Sequence, residues 1–306
     1  MISVVIPVFN EENNVENVLT TTNAVLKKIG KKYEIIFVDD GSTDKTSQIL
    51  LDKAGKNQSI KVIIFSRNFG QQSAYTAGMR TARGDVLVLM DGDLQDPPEL
   101  IPEFLLKIEA GYDVVYAVRK SRQELILKKI SYFIFYRLLR MIVPFPLQID
   151  SGDFGAVTRR VADQMNEMPE KNRYLRGLRS YVGFNQVAVP YRRKIRSAGK
   201  PKYGLFKLLG LASDGIFGFS LVPLRLASLL GFIVSTLAII YGIKVVIWRI
   251  TGNDDLPGWA TLATALSFLG GLQLLFMGII GEYIGRIFAQ VTSRPEYIIK
   301  DSANLK

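Results

Sequence analysis

The chain has 306 residues, a formal net charge of +11 and a hydrophobic content of 48%. It contains no cysteine and no histidine, which excludes disulfides, zinc-thiolate sites, cysteine nucleophiles and imidazole bases. Any general base must then be Asp, Glu, Lys or Tyr, any metal site must be built from oxygen ligands suited to Mg2+ or Mn2+, and the positive charge suits an anionic partner: nucleic acid, a lipid surface or a phosphorylated substrate.

The opening MISVVIPVFNEE lacks a basic first region and a long apolar run, so it reads as the first strand of a folded domain and not as a secretory signal. From there to about Val118, short apolar runs alternate with helical stretches. ISVVIPV, YEIIFVDD, KVIIFS, DVLVLMD and YDVVYAV read as strands. Their lack of polar alternation implies a sheet covered on both faces. The segments 13–26, 43–54, 72–81 and 98–109 read as helices between them. Strand alternating with helix predicts an α/β sandwich with a mostly parallel sheet. Such sheets bind ligands beyond the carboxyl ends of their strands, and polar residues collect there: Asn10 and Glu11, Asp39 and Asp40, Arg67 and Asn68, Asp91 to Asp93, and Arg119.

Residues 120–203 are more irregular and strongly basic, with a helix expected over 125–141 and a loop in PFPLQIDSGDFG. The stretch 205–224 is rich in Phe and Leu but interrupted, and reads as interfacial helices along a membrane surface; a buried helical hairpin is the alternative. Two long apolar runs follow. Leu226–Trp248 carries only Lys244, and Ala260–Gly281 carries no charge. A spanning helix needs roughly 20 apolar residues, so both qualify. Two spans put both chain ends on one side, and the basic domain marks that side as cytoplasmic. The expected organisation is 1–118 and 119–204 as two halves of one α/β domain, 205–224 juxtamembrane helices, 225–288 two spans, and 289–306 a cytoplasmic tail. Gly270, Gly271 and Gly278 would allow the spans to pack closely with neighbours, which is compatible with a homo-oligomer but does not fix the oligomeric state.

The stretch VLVLMDGDLQDPPE drives a buried strand into two carboxylates, Asp91 and Asp93. Alternate residues of an extended chain point the same way, so both can face one spot. Adjacent carboxylates repel unless a cation lies between them. A hard divalent ion, held by this pair and by substrate phosphates, satisfies that need. Gln95 is placed to join it, and Gly92 lets a ligand approach the backbone. A solvated acidic turn is the plain alternative.

IPVFNEENN, VDDGSTD, NFGQQSAYTAGM and MDGDLQDPPE together resemble the nucleotide-sugar-binding half of family 2 glycosyltransferases with the GT-A, Rossmann-like fold. GDFG, RSAGKPKYG and GEYIGRIFAQVTSRPEYII extend the resemblance to the polyprenyl-phosphate glycosyltransferases, relatives of dolichol-phosphate mannose synthase. The two apolar runs resemble those of the bacterial branch that charges undecaprenyl phosphate with glucose or a related sugar.

The resemblance implies roles. Pro7, Val8, Asn10, Glu11, Asp39 and Asp40 would hold the nucleoside, an aspartate favouring uracil or guanine; Asp39 and Asp40 also suit a strand end before a helix capped near Ser42 or Thr43. Arg67, Gly70 and Gln71 would lie near ribose and diphosphate, and Arg119 would neutralise phosphate, although a turn explains Gln71 as well. Asp91, Asp93 and Gln95 would hold Mg2+ or Mn2+. Asp153 is favoured as the catalytic carboxylate, with Asp150 either its rival or a turn residue. A phosphate monoester acceptor has a second pKa of about 6 and needs little deprotonation, so Asp153 would orient acceptor or sugar. Arg192, Arg193, Arg196, Lys200, Lys202 and Tyr203 would meet the lipid phosphate, or form an anionic-lipid patch. Glu282 and Arg286 would pair on one helix face.

The implied activity is metal-dependent, inverting transfer of a hexose, glucose from UDP-glucose foremost, to undecaprenyl phosphate at the inner membrane. The rivals are a GDP-mannose enzyme, a processive polysaccharide synthase, and a membrane scaffold or nucleotide sensor. The synthase predicts a QxxRW segment and more spans, and the scaffold predicts a degraded acidic motif; neither is seen in this sequence. Nucleic acid is not the expected partner, because aromatics are sparse in the basic segment.

Overall fold

The computed structural model describes residues 1–119, 151–171, 173–191, 220–251 and 258–305. Its secondary structure runs β1 (Ile2–Val8), α1 (Val15–Ile29), β2 (Tyr33–Asp39), α2 (Thr46–Lys56), β3 (Ile60–Phe65), α3 (Gln71–Thr81), β4 (Val86–Leu89), a 3-10 turn (Pro98–Leu100), α4 (Ile101–Glu109) and β5 (Val114–Arg119). Then come β6 (Ser151–Thr158), α5 (Arg159–Glu167), α6 (Leu175–Tyr181), β7 (Gln186–Tyr191), α7 (Val222–Ile250), α8 (Trp259–Val291) and β8 (Ile299–Ala303).

The strands form one sheet in the order β7-β5-β6-β4-β1-β2-β3-β8. β1 pairs in parallel with β2 and β4, β2 with β3, and β5 with β7. β6 runs antiparallel between β4 and β5, and β8 antiparallel along β3. All seven residues of β1 are buried. The same holds for β3, as expected of strands packed on both faces. Each buried Val, Ile or Leu contributes about 1.5–3 kcal/mol relative to exposure. Chain order reverses between β1 and β4, because β2 lies on one side of β1 and β4 on the other. Open α/β sheets bind ligands at such a switch point.

The structure departs from the sequence reading in two places. SGDFG, expected within a loop, forms the first half of β6. A Cβ added at Gly155 would lie 2.4 Å from the Val115 carbonyl oxygen of β5, so the glycine lets two backbones come together. The Ile299–Ala303 strand has no apolar run to announce it. It is set by pairing with β3, extended by Ser66 N–H donating to the Ile298 carbonyl at 2.9 Å.

Residues 1–212 and 294–306 make one compact unit, and 213–293 a second. In the second, α7 and α8 contain stretches long and apolar enough to cross a bilayer, Val222–Val245 and Thr264–Val291. Phe232 and Leu274 are each 71% exposed, which is not how core helices of a soluble domain behave. Glu282 accepts from Arg286 Nε at 3.0 Å and Nη2 at 2.8 Å, the pairing expected one turn apart. The predicted helix 125–141, residues 205–219, Asp150 and the basic group Arg192 to Tyr203 lie outside the described residues; of Arg119 only the backbone, ending β5, is described.

Candidate active site

Three loops are stitched together beyond the carboxyl ends of β1, β2 and β3. Asn10, in the left-handed region at φ 52°, accepts from Thr43 N–H at 2.8 Å, and its own N–H donates to Ser42 Oγ at 2.9 Å. Asp39 accepts from the backbone and hydroxyl of Ser42 and from the Ser47 hydroxyl. Asp40 accepts from Phe69 N–H at 2.7 Å and Gly70 N–H at 3.0 Å. Burial pushes Asp40 up from the ordinary carboxylate range against those two amides. The helix after Asp40 begins only at Thr46, so Ser42 binds Asp39 instead of capping α2. Arg67 lies over the Phe69 ring at 3.9 Å.

Asp91 follows β4. Its Oδ1 accepts from Gln71 Nε2 at 2.5 Å and from the Tyr75 hydroxyl at 2.7 Å. Its N–H donates to Asp96 at 3.3 Å, and Asp96 also accepts from Tyr191 at 3.0 Å. Asp93 accepts from Gln95 N–H at 3.2 Å. The turn holds Leu94 at φ 62°, a conformation costing a non-glycine residue roughly 1–2 kcal/mol; its side chain packs against the core and offsets that cost. A Cβ at Gly92 would meet Val8 Cγ1 at 2.7 Å and the Pro7 carbonyl at 2.9 Å, so the glycine makes room for β1.

Asp153 reaches the same place because β6 starts where β4 ends: Gly155 pairs with Leu89. Arg176 grips it with Nε on Oδ1 at 3.0 Å and Nη2 on Oδ2 at 3.3 Å, and Gln72 Nε2 donates to Oδ2 at 3.3 Å. Arg179, buried behind, donates to the Gly152 carbonyl at 3.3 Å. Burial pulls the Arg179 guanidinium down to about 10, with Asp153 opposing.

The electrostatics of the two carboxylates are opposite. Burial, then the charges of Asp96 and Asp153, push the Asp91 carboxyl up to about 7, against the Tyr75 hydroxyl. Burial would raise Asp153 too, but Arg176, then Arg179 and Gln72, hold it below the usual carboxylate range. Negative charge therefore converges on Asp91 without enough compensation, which is the environment a divalent cation relieves. The oxygen donors of Asp91 and Asp93 suit Mg2+ or Mn2+. Among the described residues no three acidic side chains form a metal-binding group, so the rest of the shell would come from substrate phosphates. The residues present fit such an ion.

Thus Gln71 and Asp91 meet, and Asp153 stands near by, while Asp39 binds its own loop and Asp40 ties down the loop after β3. Sequence reasoning missed Gln72, Tyr75, Asp96, Arg176 and Arg179. One signal for the arginines was available: RGLR places two at helical spacing on one face. Asp96 was visible as a third carboxylate in DGDLQD.

A mostly parallel α/β sheet with an acidic turn after β4, continued by an antiparallel β6, is the arrangement of the GT-A class of transferase. The family model described as glycosyl transferase family 2 matches residues 3–165, and that of the GtrB C-terminal hairpin matches residues 222–287. The chain belongs to glycosyl transferase family 2 and is a glycosyltransferase. It is 43% identical over 305 residues to the Bacillus subtilis protein named uncharacterized glycosyltransferase YkcC, covering 99% of this chain and 94% of that one. It is 37% identical over 302 residues to the SfII prophage-derived bactoprenol glucosyl transferase of Shigella flexneri, covering 98% of each. A crystal structure of Mycobacterium tuberculosis glucosyl-3-phosphoglycerate synthase with Mn2+ and UDP-glucose matches with 19% identity and a TM-score of 0.46, over 71% of this chain and 77% of that one.

Proposed function

We propose that this protein transfers glucose from UDP-glucose to a polyprenyl phosphate, by single displacement with inversion at the anomeric carbon. The observation that carries this reading is the 37% identity, over 98% of both chains, to a protein named bactoprenol glucosyl transferase. The site agrees with it chemically.

Pro7, Val8, Asn10, Glu11, Asp39 and Asp40 surround the nucleoside in this reading. Arg67, Gly70 and Gln71 would lie near ribose and diphosphate, and Arg119 is proposed to neutralise phosphate. Asp91 and Asp93, with Gln95, would hold Mg2+ or Mn2+, which would supply positive charge for the departing diphosphate. Gln71 and Tyr75 orient Asp91 through the bonds described. Asp153 stands beside the sugar. The acceptor phosphate, with a second pKa of about 6, is ionised enough to attack unaided. The Arg192, Arg193, Arg196, Lys200, Lys202 and Tyr203 group, outside the described residues, would receive that phosphate, and Asp150 would be the rival to Asp153. α7 and α8 anchor the chain in the plasma membrane with the basic domain on the cytoplasmic side.

The test uses purified protein in detergent with Mg2+, undecaprenyl phosphate and radiolabelled nucleotide sugars. Label from UDP-glucose should enter the organic phase and stop doing so in excess EDTA. Label entering only from GDP-mannose would replace the glucosyl reading, and undiminished transfer in EDTA would remove the metal.

A further inference from the structure

Asp153 and Arg176 lie 23 residues apart and form one unit. The Asp153 side chain is 6% exposed and the Arg176 side chain 35%, so the guanidinium covers the carboxylate on the open side. Two parallel N–H donors reach two oxygens, at 3.0 and 3.3 Å. That fork-on-fork geometry fixes the guanidinium plane as well as its position. Gln72 locks the unit from α3. Its Nε2 donates to Asp153 at 3.3 Å, while its Oε1 accepts from Leu175 N–H, next to Arg176, at 2.8 Å. The preceding residue, Gln71, donates to Asp91. One helix start therefore ties the acidic turn after β4 to the arginine.

A general base must offer an oxygen to the proton it removes. Asp153 is already committed to three cationic or amide donors, at least one on each oxygen, and a phosphate nucleophile does not require deprotonation. Arginine, by contrast, is the side chain best matched to phosphate. We infer that Arg176 is a phosphate-binding residue of the transfer site and that Asp153 is a positioning residue that holds it there, not the general base. This rests on the transfer reading above. The phosphate is either the acceptor monoester or the donor diphosphate, which share the chemistry that Arg176 recognises.

The experiment uses the full chain in detergent and reads binding apart from turnover. Calorimetry would measure Mn2+ with UDP and, separately, undecaprenyl phosphate, on wild type, Arg176→Lys, Arg176→Ala, Asp153→Asn and the Arg176→Ala/Asp153→Asn double variant. Losing one charge-assisted bond to phosphate should weaken one of the two ligands by about 10- to 100-fold and leave the other within a few-fold. Loss for undecaprenyl phosphate assigns Arg176 to the acceptor; loss for UDP assigns it to the donor. Asp153→Asn should weaken the same ligand, and the double variant should be no worse than Arg176→Ala, because both changes break one unit. Arg176→Lys, which keeps charge without the fork, should fall between, and stands in should Arg176→Ala not fold. Wild-type binding of both ligands without transfer from UDP-glucose would sink the glucosyl reading, while the affinities of the Arg176 variants would still decide whether Arg176 binds phosphate. Wild-type affinities in the Arg176 variants, with kcat alone collapsing in Asp153→Asn, would make Asp153 the base and overturn the inference.

Discussion

Asp91 is more strongly perturbed by its surroundings than its place in a short motif suggests. Its carboxyl is pushed up to about 7 by burial and by Asp96 and Asp153. The folded form then holds a proton that the unfolded form releases near pH 4. Without metal, stability is fully present below that lower value and declines as pH rises towards about 7. Metal binding needs the proton gone, so Mn2+ affinity should climb over the same interval and level off above it. Melting curves and calorimetry across pH test both slopes, and Asp91→Asn should flatten them. Glu34 behaves in the opposite sense. Burial would raise its carboxyl, but Lys61, the Ser3 hydroxyl and the Arg83 amide together hold it below the usual range. Its contribution is present above the unfolded value and is lost as pH falls through the folded one. Glu34 and Lys61 are 2.5 Å apart with side chains 4% and 8% exposed. Glu34→Gln strands a buried ammonium and should cost about 3–5 kcal/mol, measured by denaturant unfolding of the detergent-purified protein.

The turn after β4 and the segment before β8 show how elements are aimed. Gly92 sits where β1 leaves no room for a Cβ, against Val8 Cγ1 at 2.7 Å and the Pro7 carbonyl at 2.9 Å. Gly92→Ala must shift the Asp91–Asp93 turn away from β1. UDP affinity in Mn2+ should fall at least about tenfold while stability drops by about 1–3 kcal/mol; calorimetry and melting separate the two. Residues 294–297 are tied to the elements that carry the site. Glu296, with its side chain 8% exposed, meets Arg80 of α3 at 3.2 Å, and Lys171 donates to the Arg294 carbonyl at 2.9 Å. Tyr297 stacks on Phe65 with centroids 5.1 Å apart. Burial pulls the guanidinium of Arg173, 7% exposed, below its usual range, with Glu296 opposing and Arg80 adding to the fall. Glu296→Ala leaves two arginines with less compensation and should lower stability by about 1–3 kcal/mol, read as a lower melting temperature.

Across the whole chain, hydrophobic character is concentrated in the hairpin of residues 213–293, while β8 returns to the sheet of the larger unit. Val222–Val245 and Thr264–Val291 have mean hydropathies of 2.2 and 1.7, and their apolar side chains face outward. Water is a poor solvent for that surface, and a bilayer of about 30 Å hydrocarbon thickness matches its length. The protein should therefore stay in the membrane pellet after alkaline carbonate washing and leave it only in detergent. Deleting residues 213–293 should release it into the soluble fraction.

Much of this was legible without coordinates. Unbroken apolar strands, turn residues after each strand, the Asp91-Gly92-Asp93 turn and two long apolar runs depend on periodicity, length and residue type, all of which are local. They were enough for the α/β class, the sheet edge where the site lies, and the hairpin. What pairs with what was not local. That Asp153 meets Arg176 and Gln72, that SGDFG is a strand, and that IKDSA closes the sheet edge all follow from β6 and β8 running antiparallel to distant partners. Gly92 makes the same point: its type was readable, but the atom it makes way for belongs to β1. Contacts between residues far apart in sequence are decided by which strands lie side by side, and no window of sequence contains that information.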